Sequence, residues 1–336
     1  MINILLTSVG RRTYLIDYFQ KALNGKGNLY ISNSTSQTSA FLKTDKSVVT
    51  PLIYDPGYID FLKNFCIEKK INAIISLYDI DLYILAKHKK IFEDIGVKIL
   101  VSDEMVIECC NDKWKTQKFL RQCALKTVNT YIDLDDAMAD VKTGNISFPL
   151  FVKPRWGMGS LSVYCANNED ELRVFFNKIK NDIFDSVLKY EANLDKENCV
   201  IIQEKMKGSE YGLDVINDLE GNFVNAIVKQ KLAMRAGETD SAKVIENDIL
   251  YNIGKTIAHK LKHIANLDID IFFDGTEAYV LEMNARFGGG YPFSHLAGVD
   301  LPKAIVYWLS GQQPDEKILK ATPEIIGYKD LSLVRG

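Results

Sequence analysis

Three polar side chains near the C-terminal end of the sequence have the types and spacing of a magnesium site. The segment 269–290 reads IDIFFDGTEAYVLEMNARFGGG and contains two apolar strands separated by a turn of the Asp-Gly type. Alternation along a strand places Glu282 and Asn284 on one face, while Asp270 belongs to the adjacent strand. Hard oxygen ligands suit Mg²⁺, which takes its remaining ligands from water and phosphates. We therefore predict that Asp270, Glu282 and Asn284 hold magnesium.

Two further residues bear on this magnesium site. Arg286 follows the second strand closely enough to grip a phosphoryl group during its transfer. Asp268 competes with Asp270 for the place of first metal ligand. Asp270 is preferred because its side chain should share a face with its strand's inward positions and reach Glu282.

Two segments earlier in the chain have features that suit a nucleotide. In FVKPRWGMGS (151–160), Lys153 ends a strand and a glycine-containing loop follows, so an ammonium group and backbone N–H groups can approach a polyphosphate. In VIIQEKMKGSEYGLDV (200–215), the strand end at Glu204 can face a purine edge, and Glu210 can accept hydrogen bonds from ribose hydroxyls. Each segment taken alone also fits an ordinary solvated surface loop.

The elements that position these residues fall into two patterns. Residues 1–105 alternate apolar strands with amphipathic helices, which is typical of a doubly wound parallel sheet covered on both faces. Its strands are predicted at 2–8, 28–32, 73–77 and 97–102, and its helices at 14–24, 58–70 and 82–95.

After residue 112 the pattern changes to antiparallel strand pairs with intervening helices. Asp112 is predicted to cap a helix over 113–123, and the spacing of apolar residues predicts a long helix whose buried stripe is Ile245, Ile249, Ile253, Ile257, Leu261 and Ile264. Further helix is predicted at 169–180, and strands at 149–153, 161–165, 199–204, 209–217, 222–232, 268–274 and 278–283.

Composition limits the classes of function. The 336 residues exceed the usual size of one core, so two or three lobes are expected. The net charge is −3 and no basic stripe is present, which excludes nucleic acid as the main partner. The N-terminus does not resemble a signal peptide, no apolar run could span a membrane, and the six cysteines lack zinc-ligand spacing. A cytoplasmic protein with reduced thiols is expected, and whether it forms a homodimer stays open.

Taken together, the segments resemble the ATP-grasp superfamily over about residues 110–310. Four segments are similar in sequence to single-module relatives of the carbamoyl-phosphate synthetase large subunit: SVGRR (8–12), CNDKWKTQKFL (110–120), FVKPRWGMGS and LEMNARFGGGYP (281–292). The resemblance implies an α/β (α+β) chain, with an ATP-grasp fold preceded by a doubly wound parallel α/β domain. The implied units are 1–108, a small lid subdomain at 109–205, and a metal- and substrate-binding subdomain at 206–336.

The resemblance also implies roles for individual residues. Lys113 and Lys153 correspond to the basic residues that hold the ATP phosphates, and Arg286 to the arginine that faces the transferred phosphate. The nucleotide set is completed by the closing loop, the adenine-binding linker and the ribose-binding glutamate: Gly157, Met158, Gly159, Ser160, Glu204, Lys205, Met206 and Glu210. Asp270, Glu282 and Asn284 correspond to the ligands of Mg²⁺ or Mn²⁺. Ala285 stands where the family usually has proline.

Substrate-binding residues are less well defined by the sequence. Arg235 resembles a cleft arginine of related proteins and is predicted to act on a substrate carboxylate, although a solvated loop cation fits as well. Arg11 and Arg12 follow the first strand, where α/β sheets bind ligands, and an ordinary surface role is equally compatible. His295 has the weakest claim of these residues.

The expected reaction is ATP-dependent ligation of a small carboxylic acid to an amine or another nucleophile through an acyl phosphate. A kinase, a bicarbonate-using carboxylating enzyme and a non-catalytic nucleotide sensor are the alternatives. A Rossmann dehydrogenase is disfavoured because the first strand-to-helix turn contains Gly10 where that fingerprint requires three glycines.

Overall fold

The N-terminal part of the chain forms a five-stranded parallel sheet in the order β3-β2-β1-β4-β5. A computed structural model of the protein describes residues 1–331 and 333–335. The strands are β1 (Ile2–Thr7), β2 (Gly27–Asn33), β3 (Ser47–Val49), β4 (Ala73–Ser76) and β5 (Lys98–Ile99). The helices are α1 (Thr13–Leu23), α2 (Tyr58–Lys69), α3 (Asp79–Lys87) and α4 (Lys89–Glu93), with a 3-10 turn at Ser39–Leu42. The predicted parallel α/β lobe is confirmed.

Three details of this lobe differ from the sequence prediction, and the first is the short edge strand β3, which was not predicted. The single helix expected over 82–95 is divided at His88, whose backbone N–H bonds to Leu85 as a terminal cap instead of continuing the helix. The strand expected over 97–102 is shortened to β5, because β4 offers partners only for Lys98 and Ile99.

The middle of the chain begins with two helices, α5 (Glu104–Asn111) and α6 (Lys113–Gln122). Asp112 caps α6 as predicted, since its carboxylate accepts hydrogen bonds from Trp114 N at 2.9 Å and Lys115 N at 3.2 Å.

A small antiparallel sheet follows α6, in the order β6-β9-β7-β8. It consists of β6 (Thr130–Tyr131), β7 (Leu150–Pro154), β8 (Tyr164–Ala166) and β9 (Val200–Glu204). The accompanying helices are α7 (Leu134–Thr143), α8 (Glu169–Asp182) and α9 (Lys189–Ala192), with a 3-10 turn at Ile183–Asp185.

The largest sheet is antiparallel, has six strands and runs in the order β14-β13-β10-β11-β12-β15. Its strands are β10 (Ser209–Asn217), β11 (Phe223–Arg235), β12 (Glu238–Ile245), β13 (Ala265–Phe273), β14 (Ala278–Asn284) and β15 (Ile326–Tyr328). The helices are α10 (Asp248–Leu261), α11 (Tyr291–Leu296) and α12 (Leu301–Leu309), with a 3-10 turn at Glu316–Leu319.

The helix stripe predicted over 245–264 is only partly correct. Ile245 belongs to β12, Ile249 is 47% exposed, and the side chain of Asn247 caps the helix by accepting from Leu250 N. A spacing of four residues advances by about 40° more than one turn of a helix, so a series of such steps leaves the buried face. The side chains of α10 that meet the sheet are instead those of Leu250, Gly254, Ile257, Ala258 and Leu261.

The buried core joins the first and last parts of the chain. One apolar cluster contains Leu5 of β1 together with Leu213 and Leu267 of the large sheet, and a second contains Phe19 of α1 with Phe287. The small sheet has a separate cluster drawn entirely from residues 137–202. The predicted boundaries at 108/109 and 205/206 stay predictions.

None of the helices formed by residues 1–331 and 333–335 has both the length and the apolar character needed to cross a bilayer.

Candidate functional site

Four polar side chains lie on one face of the β13–β14 pair. In the antiparallel register Asp270 is opposite Glu282 and Asp268 is opposite Asn284, and directly opposed residues point to the same side of a sheet. Residues of the other face, such as Ile269, are completely buried in the core. The alternation predicted from the sequence therefore brings the three proposed metal ligands and Asp268 together.

The acidic cluster is neutralised by lysines from neighbouring elements. Lys231 of β11 lies between two carboxylates, with its Nζ 2.5 Å from Glu210 and 2.7 Å from Asp270. Lys113, at the start of α6, is 3.7 Å from Glu282. Burial, together with the carboxylates of Asp268 and Glu282, raises the pKa of Asp270 to about 7 despite Lys231.

Glu282 behaves differently from Asp270. Burial alone would raise the pKa of Glu282, but the surrounding cations outweigh burial and lower it. These cations are Lys113, Lys153, Lys231 and Arg286. The site therefore contains one firmly ionised carboxylate and a second, Asp270, that is crowded by other acids. An additional divalent cation would relieve that crowding.

Arg286 connects the metal-site face to the N-terminal lobe. Its guanidinium is 3.0 Å from Asp79 at the start of α3 and 3.4 Å from Asp268. Burial would lower the pKa of Arg286, but Asp79 and Asp268 raise it, so the side chain remains a fixed cation. Gly288 allows the following loop to approach, since a Cβ atom there would lie 2.1 Å from Asp268 Cγ.

A cavity of about 360 Å³, the nucleotide cavity, lies between the small and the large sheet. Its wall includes every residue predicted for nucleotide binding: Lys113, Lys153, Gly157, Met158, Gly159, Ser160, Glu204, Lys205, Met206 and Glu210. Apolar side chains line the rest of the wall, among them Phe151, Leu161, Phe272 and Leu281. Apolar side chains together with the lysines Lys113 and Lys153 give this cavity the chemistry needed for a nucleoside polyphosphate.

Two of the lysines that line this cavity, Lys113 and Lys153, are buried and interact with each other. Lys113 donates a 2.6 Å hydrogen bond to the Gly157 carbonyl at the base of the glycine loop. Burial and the charge of Lys113 lower the pKa of Lys153 to about 8, although Glu282 and Asp270 oppose that shift. Two ammonium groups held this close favour an anion between them.

A second cavity, also of about 360 Å³, adjoins the first and is called the substrate-side cavity here. Both cavities share Met158, Gly159, Met234, Gly237, Asp270 and Glu282 as wall residues. The substrate-side cavity is further lined by Asn284, Arg286, Lys229, Asp79, Arg11 and Arg12. The acidic face of β13 and β14 therefore lies at the boundary between the two.

Not every predicted residue reaches these cavities. Arg235 ends β11 at an exposed hairpin tip, where its Nε donates to Asp240 at 2.8 Å, and it is absent from the walls of both cavities. The imidazole of His295 stacks on Tyr18 with ring centroids 3.6 Å apart, which is a packing role between lobes. Arg11 and Arg12, in contrast, do line the substrate-side cavity.

Three site residues were missed by the sequence analysis: Lys229, Lys231 and Asp79. The two lysines alternate in KQK on β11, and a period of two with charged residues indicates one polar face of a strand. Asp79 comes directly after β4, at the sheet edge where ligands bind in parallel α/β folds. Both strands were predicted, but the pattern alone does not distinguish a polar side chain that lines a site from one that is solvated.

No three His, Cys, Asp or Glu side chains of residues 1–331 and 333–335 converge closely enough to hold a metal by themselves. The predicted metal set therefore depends on an asparagine and on oxygens supplied by a ligand, which is the mode that Mg²⁺ commonly uses with nucleotides.

Two family models match separate parts of the chain. Residues 4–100 match the PylC-like N-terminal domain, and residues 196–329 match the family described as ATP-grasp in the biosynthetic pathway with Ter operon. A carbamoyl phosphate synthase large chain from Clostridium acetobutylicum is 23% identical over 305 residues, which cover 87% of this chain and 27% of that protein. The carbamoyl phosphate synthase large chain from Lachnoclostridium phytofermentans is 22% identical over a match that covers 59% of this chain and 18% of that protein. The chain spans about a quarter or less of the length of these curated relatives.

Solved structures share the fold at low sequence identity. The biotin carboxylase domain of Hydrogenobacter thermophilus 2-oxoglutarate carboxylase, solved with MgADP and bicarbonate, has a TM-score of 0.73 at 15% identity, covering 95% of this chain and 72% of that one. An L-amino acid ligase from Bacillus licheniformis has a TM-score of 0.69 at 16% identity, with coverage of 96% and 76%. The N5-carboxyaminoimidazole synthetase of Staphylococcus aureus, solved with ADP, also has a TM-score of 0.69 at 16% identity, covering 97% of this chain and 80% of that one.

These matches confirm the predicted fold class. Residues 4–100 therefore resemble a PylC-like N-terminal domain and residues 196–329 resemble an ATP-grasp domain, and the chain shares its fold with the solved structures above.

Proposed function

We propose that this protein is an ATP- and magnesium-dependent ligase that activates a small carboxylic acid as an acyl phosphate and joins it to an amine. The observation that carries the proposal is the meeting of the two cavities along one acidic wall, with Arg286 beside it. One cavity has the lining of a nucleotide site. The other is lined by arginines and lysines as well as by carboxylates, and it is large enough for a small acid.

The residues of the nucleotide cavity fit ATP. The apolar side chains of Phe151 and Phe272 suit a purine, and Glu210 stands where ribose hydroxyls would need an acceptor. Lys113 and Lys153 supply positive charge for the phosphates. Gln203 lines the same cavity and donates its amide to Thr130 Oγ1 at 2.8 Å, which fixes the orientation of the side chain.

The acidic wall fits magnesium. Asp270 and Glu282 are opposed on adjacent strands and line both cavities, whereas Asp268 lines the substrate-side cavity alone and packs against Gly288. This arrangement supports Asp270 over Asp268 as the first ligand, with Glu282 and Asn284 as the others. When bound, the metal would neutralise charge on the terminal phosphates of the nucleotide.

The protein's own groups provide the remaining requirements for phosphoryl transfer. A substrate carboxylate oxygen would form a bond to the γ-phosphorus while the bond to the β-phosphate oxygen breaks and ADP leaves. Arg286, Lys113 and Lys153 face the negative charge that develops in this step. An amine nitrogen would then attack the acyl carbon and release phosphate. Loop 157–160 would keep water from the acyl phosphate.

Arg235 is given a weaker role than the sequence suggested. Its pairing with Asp240 at an exposed tip supports a contact with substrate only after the hairpin has moved. Arg286 and Lys153 therefore remain the proposed catalytic residues of this chain.

A carboxylating enzyme that consumes bicarbonate is the second candidate. It is favoured by structural neighbours that include a biotin carboxylase domain solved with bicarbonate. Omission of bicarbonate from a degassed assay distinguishes the two, because only the carboxylating enzyme would then stop releasing ADP.

The test is ADP and phosphate release with pooled small carboxylic acids and amines. We expect release to require both an acid and an amine, and we expect Glu282→Ala to abolish it while folding is preserved. Glu277→Ala, which changes an exposed carboxylate on the same hairpin, is the matched control and should stay near wild type. ATP binding with no stimulation by any acid would support a nucleotide sensor instead, and normal turnover in Glu282→Ala would refute the metal assignment.

A further inference from the structure

The charges that line the substrate-side cavity are unevenly paired. Lys229, Lys231 and Arg286 each have carboxylate partners, namely Asp214, Asp270 with Glu210, and Asp79 with Asp268. Arg11 and Arg12 line the same cavity, and neither has an ion-pair partner within residues 1–331 and 333–335. The unpaired positive charge is therefore concentrated on the side formed by the N-terminal lobe.

The guanidinium of Arg12 is held in place by its surroundings. Its Nη1 donates to the carbonyl of Leu77 at the end of β4, which leaves its other N–H groups available. Burial and the nearby charge of Arg286 lower the pKa of Arg12, and the carboxylates of Asp79 and Glu238 offset this only in part, so its cationic form is not fully compensated within the protein. A bound anion would supply that compensation.

The turn that carries these arginines is fixed by several side-chain hydrogen bonds. Buried Asp81 accepts from Thr7 Oγ1 at 2.5 Å and from Ser8 Oγ at 3.2 Å, and Thr38 Oγ1 donates to the Gly10 carbonyl at 2.5 Å. Ser8 adopts a φ of 54°, a left-handed conformation that a non-glycine residue rarely adopts. Strained backbone that is held by its neighbours in this way is common at ligand-binding sites.

The reacting carboxylate and the N-terminal arginines face different parts of this cavity. Under the proposed function the carboxylate approaches the wall formed by Asp270 and Glu282, which borders the nucleotide cavity. Arg286 is paired with Asp268 beside that wall, whereas Arg11 and Arg12 follow β1 and line the cavity from the N-terminal lobe.

We infer that the substrate acid carries a second anionic group, a carboxylate or a phosphate, and that Arg11 and Arg12 bind this group away from the site of phosphoryl transfer. The inference rests on the proposed function for the identity of the first group. Arg12 is the inner contact, and Arg11, which is exposed, lies at the cavity's edge. Both arginines act in binding and positioning, and the chemistry remains with Arg286 and the acidic wall.

The first arm of the test measures binding alone. Isothermal titration of malonate and of orthophosphate is carried out with saturating MgADP, which occupies the nucleotide cavity. We expect Arg12→Gln and Arg11→Gln to lower the affinity for at least one of the two anions by about tenfold, a change of about 1.4 kcal/mol in binding free energy. Lys26→Gln, which removes an exposed cation of the same lobe, should leave both affinities unchanged. Unchanged affinities in both arginine variants would overturn the inference.

The second arm measures ADP release with matched acids. Succinate and glutamate are compared with succinamate and glutamine, and 3-phosphoglycerate is compared with glycerate. Faster ADP release with the acids that carry a second anionic group, lost in Arg12→Gln, supports the inference. The pair of acids that shows the larger difference indicates whether the second group is a carboxylate or a phosphate. If ADP release is equally fast with the acids that lack the second anionic group, and is unchanged in Arg12→Gln, the inference is overturned and the ligase proposal stays intact. Arg12→Lys, with MgADP affinity as the control for folding, should restore part of the lost binding.

The two proposals fail in different ways. If no acid stimulates ADP release, the proposed function is refuted, and the titration in the first arm still decides whether Arg11 and Arg12 form an anion site.

Discussion

Gly288 shows how closely the loop after β14 approaches the acidic face. A Cβ atom at this position would lie 2.1 Å from Asp268 Cγ and 2.3 Å from its oxygens. We expect Gly288→Ala to displace the Asp268 carboxylate, which contacts Arg286, and to lower ATP-dependent turnover at least about tenfold, or about 1.4 kcal/mol in the barrier. Turnover is measured as kcat/KM for ADP release.

Gly289→Ala is the matched control for that variant. Its Cβ would meet nothing nearer than 3.8 Å, an ordinary van der Waals contact. Turnover close to wild type is expected for Gly289→Ala, and equal losses in both variants would show that the loop, and not Asp268, is responsible.

At the scale of residues, the motifs selected most of the side chains that line the nucleotide cavity. Lys153, the glycine loop and Glu210 could be predicted because each lies in a short segment with recognisable chemistry. Lys231 could not be predicted, because its role depends on the pairing of β11 with β10 and on the distance to Asp270. A lysine on a strand has no sequence mark that separates a buried counterion from a solvated charge.

At the scale of elements, an aromatic contact connects the N-terminal lobe to helix α9, which accompanies the small sheet. Tyr54, which precedes α2, stacks on Tyr190 of α9 with ring centroids 3.7 Å apart, and its hydroxyl donates to Glu191 Oε1 at 2.6 Å. Glu191 is 8% exposed, and its other carboxylate oxygen has no hydrogen-bond partner within residues 1–331 and 333–335.

We expect Tyr54→Phe to lower the free energy of unfolding by about 1–3 kcal/mol, because the stacked ring stays while a buried carboxylate loses its donor. Urea denaturation measures this change. Tyr30→Phe, in the same lobe, is the control, since its ring also contacts an aromatic neighbour, in this case edge-on against Phe65. A Tyr54→Phe variant as stable as wild type would mean that water replaces the hydroxyl without loss.

The wrong start of the helix predicted over 245–264 has a physical cause. The strand β12 reads ETDSAKVI, whose polar residues hide the alternation that identifies a strand. Its pairing with β11 across a tip at Ala236 and Gly237 comes from long-range sheet formation, not from local preference. Ile245, the last residue of β12, was consequently assigned to a helix that begins three residues later, at Asp248.

At the scale of the whole molecule, a ligand in the nucleotide cavity contacts both the small and the large sheet. We expect MgADP at 100 times its dissociation constant to raise the free energy of unfolding by about 2.7 kcal/mol, since binding favours the folded state. Thermal unfolding with and without MgADP measures the effect, and removal of Mg²⁺ with EDTA should reverse part of it.

Variants identify the source of this stabilisation. Glu282→Ala should respond to ADP but lose the additional effect of the metal, whereas Glu277→Ala should retain it. An EDTA effect of the same size in Glu282→Ala would place the metal elsewhere.

The arrangement of the lobes could not be predicted from the sequence. The α/β pattern of residues 1–105 and the antiparallel pairs of the later segments indicated separate sheets, and both were confirmed. The packing of Phe19 against Phe287, with ring centroids 6.0 Å apart, joins residues separated by most of the chain, and no local pattern specifies such a contact. For the same reason the pairing of Arg286 with Asp79 emerged only from the folded structure.

The wall shared by the two cavities has a thermodynamic consequence. Met158 and Gly159 of the glycine loop, and Met234 and Gly237 of the hairpin, face both ligand sites at once. A Cβ atom on Gly237 would approach Ser160 Oγ to 2.8 Å, so the loop and the hairpin are in direct contact. Any rearrangement that one ligand favours also reshapes the other site, and linkage makes such an effect reciprocal. The factor by which nucleotide changes the affinity for the acid must equal the factor by which the acid changes the affinity for nucleotide.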